Sequence, residues 1–97
     1  MNSNEELKEL AIAYVSRLEG YAESKDVEKA SYLYYEIVKR TIGLAKEQDV
    51  YDRDRGEIKE YLDLVKSLIK ITLISFDWDM EMIKEFEERV NKLVYIE

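Results

Sequence analysis

The chain has 97 residues, a net charge of −7 at pH 7, no cysteine and no histidine. That length is one domain, residues 1–97, with a single core, and the two missing residue types exclude disulfides, thiolate metal sites and histidine-based catalysis. Apolar residues make up 46% and charged residues 38%, with three glycines and no proline, a balance that suits helices and starves sheets and long loops of their turn residues.

The first predicted helix starts at SNEE, where Ser3 can cap and Glu6 completes a capping box. Leu7, Leu10, Ala11, Tyr14, Leu18, Tyr21 and Ala22 follow at three-four spacing, and the helix is expected to end near Ser24. Asp26 is placed to cap the second helix, with Glu28 in its first turn facing the positive end of the helix dipole, and that helix runs to about Gln48. After the charged link DVYDRDRG, a third helix carries Ile58, Tyr61, Leu62, Val65, Leu68, Ile69 and Thr72 on one stripe. Its β-branched run IKITLIS continues that stripe in phase, and a lone strand would have no partner, so it reads as helix. SFDWD breaks the pattern; Asp77 is the preferred cap of the fourth helix, with Ser75 as the alternative. That helix carries Met82, Ile83, Phe86, Val90, Leu93 and Val94, and pairs Glu85 with Arg89 and Glu88 with Lys92 on its solvated face. Four helices joined by short links predict an all-α, four-helix antiparallel up-down bundle.

KASYLYYEIVKRT, residues 29–41, packs three tyrosines into four positions. At 100° per residue, Tyr34 shares a face with Ala30, Ile37, Thr41, Leu44 and Ala45 and belongs to the core. Tyr35 falls at the boundary with Val38 and Ile42, and Tyr32 lies opposite among Glu28, Lys29, Glu36 and Lys39. Tyr32 and Tyr35 are therefore the candidates for a contact surface.

Catalytic constellations are missing. There is no glycine-rich phosphate loop, no HExxH and no Glu-x-x-His pair. Asp49, Asp52, Asp54 and Glu57 crowd Gly56, but a calcium loop with Asp52 and Asp54 as third and fifth ligands needs glycine where Arg55 stands. No metal and no cofactor are expected. The densest basic spot, DRDR at 52–55, is neutralised by its own aspartates, so no DNA-binding surface is expected. The acidic polar start MNSNEELKEL lacks the features of a secretory signal, and LIKITLISF is interrupted by Lys70 and too short for a bilayer. The chain is expected to be cytoplasmic, without membrane contact. Its Glu, Lys, Ile and Tyr richness is similar to hyperthermophile usage.

KDVEKASYLYYEIVKRTIGLAKE resembles the second helix of the archaeal paralogous-repeat (PaREP) family, within the HEPN-like bundles: Asp26 in a small turn, then Ala30-Ser31, Tyr34 or Tyr35, and a closing Leu44-Ala45. SFDWDMEMIKEFEERVNKLV is similar to that family's end, and together the two stretches cover about half the chain. The resemblance implies a bundle that often dimerises, and that in HEPN relatives sometimes pairs with a nucleotidyltransferase. It does not imply ribonuclease activity, because the Arg-to-His pair of the active members cannot exist here. The same hairpin resembles the microtubule-interacting and trafficking type of module, which binds peptide helices in a groove.

The third helix has a second apolar set, Leu64, Ile71 and Ile74, roughly 100° or more from its main stripe. Leu64 and Ile71 are seven residues apart, which keeps them on one seam. These observations predict a non-catalytic, acidic helical-bundle interaction protein, a homodimer across Leu64, Ile71 and Ile74. The alternatives are a HEPN-like partner subunit of an RNA- or nucleotide-processing complex and a peptide-binding helical adaptor.

Overall fold

A computed structural model describes residues 3–94; within that range the side chains of residues 3, 4, 6, 7, 10 and 11 are outside the description. It contains α1 (Ser3–Ser24), α2 (Val27–Glu47), α3 (Arg55–Ser75) and α4 (Met80–Val94), and no strand among the described residues. The expected capping box of Ser3 and Glu6, and the core roles of Leu7, Leu10 and Ala11, lie outside the described side chains. IKITLIS is helical.

Three chain reversals define the bundle. α1, α2 and α3 each close on a residue in the left-handed region: Lys25 (φ 56°), Asp49 (φ 58°) and Asp77 (φ 67°). At each end the amide of that residue and the next donate back into the last turn, as in Asp77 N to Ile74 O (3.0 Å) and Trp78 N to Leu73 O (3.2 Å). This is the Schellman closure, made here without glycine. The Asp26 carboxylate then accepts from Lys29 N at 3.0 Å and starts α2, as its position in the sequence predicts.

The fourth helix starts later than expected. Asp77 cannot cap it, because an N-cap has extended backbone and Asp77 is the left-handed residue that ends α3. Asp79 takes that role, accepting from Met82 N at 2.9 Å. The two-residue delay leaves room for Trp78, 4% exposed, to turn inward and donate from Nε1 to Ala22 O at 2.8 Å. Lys25 Nζ donates to Phe76 O at 2.7 Å beside it. The C-terminal ends of α1 and α3 therefore meet, and the chain runs up, down, up, down.

α2 is the central element. It packs most extensively on α4 and α1, while α1 and α4 do not meet among the described residues, and α3 touches all three. α2 consequently buries a wider arc than one stripe: Leu33 and Ser31 join Ala30, Tyr34, Ile37, Val38, Thr41 and Ala45. The core is completed by Leu18 and Ala22 of α1, Leu62, Val65, Ile69 and Leu73 of α3, and Ile83, Phe86 and Val90 of α4. α4 is 15 residues long with one apolar stripe, and Phe86 is fully buried beneath it. Among the described residues no helix is long and apolar enough to cross a membrane.

Candidate functional site

α3 presents two faces. Leu62, Val65, Ile69 and Leu73 point into the core at three- and four-residue steps. Leu64, Leu68, Ile71 and Ile74 are 58%, 54%, 63% and 54% exposed. Leu68 is a correction to the expected core stripe. It sits about 100° around the helix from Ile69, at the rim of the groove between α1 and α3. α1 contributes Ile12 and Val15, also half exposed or more. Between the two helices runs a shallow groove of about 70 Å³, walled by Val15 and Leu18 on one side and Val65 and Leu68 on the other, with Leu33 and Ile37 of α2 as its floor. A small-molecule pocket usually encloses about 300–1,000 Å³, so this groove suits the ridges of another helix and not a buried metabolite.

The α1 part of this face was missed in the sequence. Val15 stands four residues after Ala11 and three before Leu18, at the edge of the α1 stripe, and Ile12 stands three residues before Val15; that spacing was the available signal.

The tyrosines separate as the helical wheel predicts. Tyr34 is buried, and its hydroxyl donates to Leu62 O at 3.1 Å. Burial, assisted by the Asp63 carboxylate, pushes its pKa up to about 12. Burial also raises Tyr61. Both shifts lead away from neutrality, so neither phenol is tuned for proton transfer near pH 7. Tyr35 is half-buried and Tyr32 is 50% exposed; their rings lie 5.5 Å apart at 59°, and Lys39 Nζ sits 5.3 Å above Tyr35. The two candidate contact residues are thus one aromatic pair on α2, with Tyr32 open to the clefts beside α1 and α4.

Next to them Arg17 reaches across from α1 to Glu36 at 3.1 Å and stacks over Tyr14 at 5.2 Å. A notch of about 370 Å³ lies where α2, α3 and α4 meet, over Val38, Ile42, Leu62 and Val90. Tyr51 borders it, contacted by Lys46 at 5.2 Å and Arg55 at 4.9 Å. Two of the cations lining the notch pair with carboxylates, Arg55 with Asp52 at 3.0 Å and Lys59 with Asp63 at 3.9 Å, and Lys66 lines it as well. Arg53 likewise contacts Asp54, so Asp52 and Asp54, two of the acids crowding Gly56, are each paired with a neighbouring arginine. Among the described residues no group of three or more Asp and Glu is arranged to hold a metal ion.

The chain gives no significant match to family models, to curated proteins or to solved structures.

Proposed function

We propose that this chain is a non-catalytic, cytoplasmic interaction protein that works by docking its α1/α3 face on another protein surface. One observation carries the reading: six aliphatic side chains from two adjacent helices, Ile12, Val15, Leu64, Leu68, Ile71 and Ile74, are half exposed or more. Scattered apolar residues are ordinary on a surface, but a set concentrated on two adjacent helices, with Val15 and Leu68 lining the groove between them, marks an interaction site. Dimerisation of this bundle and partnership in a larger HEPN-like complex are both routes by which such a face is used. A groove walled by two helices also supports the peptide-adaptor reading, since an amphipathic helix fits that shape.

The test is the double variant Leu64→Glu, Ile71→Glu. Both positions are solvated in the single chain, so the variant is expected to keep its full helical circular dichroism and a cooperative melt. Collapse of the fold would place both residues in the chain's own core and end the docking reading. Labelled structured and single-stranded RNA should survive incubation with the protein, with or without divalent metal. Cleavage that follows the protein through successive columns would overturn the non-catalytic part.

A further inference from the structure

We infer that the occupant of the α1/α3 face is a second copy of this chain, with its α3 antiparallel to the first about a two-fold axis passing between Leu68 and Ile71. The inference rests on the docking reading and adds the identity and orientation of the partner.

Leu64, Leu68, Ile71 and Ser75 follow the four-three-four spacing of a helix-pair seam, and all four are exposed. The midpoint of that seam lies between residues 69 and 70. Rotation about it sets Leu64 beside the partner's Ser75, a large side chain against a small one. It sets Leu68 beside the partner's Ile71, aliphatic against aliphatic. The seam is thus complementary to its own reverse, which is what a two-fold contact requires.

Charge selects the same direction. The stripe continues toward the N-terminus of α3 as Glu57 and Glu60, both exposed. Its other end is uncharged through Ile74 and Ser75, and beyond it stand Lys25, tied to Phe76 O, and the exposed Asp77. Pairing α3 parallel to itself would set Glu60 beside the partner's Glu60 and align the two helix dipoles. The antiparallel pairing separates the Glu57 and Glu60 ends of the two copies and opposes the dipoles.

The face is also of the right order of size. Two neighbouring helices, each about 30 Å long and about 10 Å apart, offer a projected area of about 600 Å². A standard interface takes about 800 Å² of accessible surface per partner, roughly an eighth of the 6746 Å² of this chain. Ile12 and Val15 extend the apolar area beside the α3 seam.

The chain has no cysteine, so introduced thiols report on one contact alone. Sedimentation equilibrium at tens of micromolar is expected to give twice the 11.6 kDa chain mass. An oxidised mixture of Leu64→Cys and Ser75→Cys chains is expected to form disulfide-linked dimers, because the antiparallel seam brings those positions within the roughly 4.4–6.8 Å Cα separation a disulfide needs. Neither variant alone should link, since each site then lies about 16 Å along the helix axis from its own copy. Linkage of Leu64→Cys to itself would overturn the antiparallel arrangement in favour of a parallel one. A mixture of folded variants that does not link would overturn the register, and the pair Leu68→Cys with Ile71→Cys repeats that test at the centre of the seam. A monomeric wild type would overturn the second copy. If Leu64→Glu, Ile71→Glu then still folds and melts cooperatively, the docking reading stands with a different protein as occupant; if it unfolds, both fail.

Discussion

The α2–α4 side of the bundle and the α1–α3 side are each built from two neighbouring helices and end in opposite conditions. On the first side Phe86, Val90, Ala30 and Val38 are all at or below 3% exposure. On the second, six aliphatic side chains from α1 and α3 are half exposed or more, and the groove between the helices stays open. The difference lies in the number of apolar stripes. α4 has one, and α2 covers it. α3 has two on nearly opposite sides of the helix, and one chain supplies enough neighbours to cover only one of them. The second stripe has no internal partner and is left exposed in the single chain.

The comparison is tested most severely by truncation on each side. Phe86→Ala should cost about 3–5 kcal/mol of unfolding free energy, the range for removing a buried aromatic. Leu68→Ala, at a site already half in water, should cost about 1 kcal/mol or less in dilute solution. Urea denaturation of the two variants measures the gap directly. Equal losses would mean that the α1–α3 side is as closed as the other.

Trp78 is the strut that fixes the end where α1 and α3 meet. Trp78→Phe keeps most of the ring but removes the donor to Ala22 O, leaving a buried carbonyl without that partner. A loss of about 1–3 kcal/mol is expected in the same assay.

Alkaline titration probes the closed side. Tyr34 has a folded-state pKa of about 12, above its ordinary value near 10, so the neutral phenol is favoured by folding. Its contribution is fully present below about pH 10 and is lost as pH rises through about 12. Melting temperature should therefore fall across that window, and Tyr34→Phe should flatten the part of the fall due to this group. An identical alkaline profile in the variant would remove Tyr34 as its cause.

Two substitutions are expected to stabilise. The Thr41 hydroxyl is buried and has no hydrogen-bond partner, so Thr41→Val should gain about 1 kcal/mol by removing an unmet polar group at nearly constant shape. Asp49 is exposed and holds the left-handed closure of α2, so Asp49→Gly should gain about 0.5–1 kcal/mol by relieving that conformation. Thermal melts of both variants check the sign; a loss in either would mean the side chain makes a compensating contact.

Local order was legible in the sequence because it depends on residues a few positions apart. The four helices, the Asp26 cap, the burial of Tyr34 and the helical state of IKITLIS all follow from spacing and capping chemistry. Leu64, Ile71 and Ile74 could likewise be singled out as a second stripe before anything was known of their surroundings. The rest required the neighbours. Asp79 replaces Asp77 as the cap because the left-handed closure of α3 consumes Asp77, and a helix end competes with a helix start for the same short acidic segment. Trp78 becomes core only because the ends of α1 and α3 meet there and offer its indole the Ala22 carbonyl. Leu33 is buried because α2 is flanked on two sides, and Leu68 is exposed because α1 leaves it uncovered. Periodicity determines which side chains share a face of one helix. Only the arrangement of the other three helices decides which of those faces is covered.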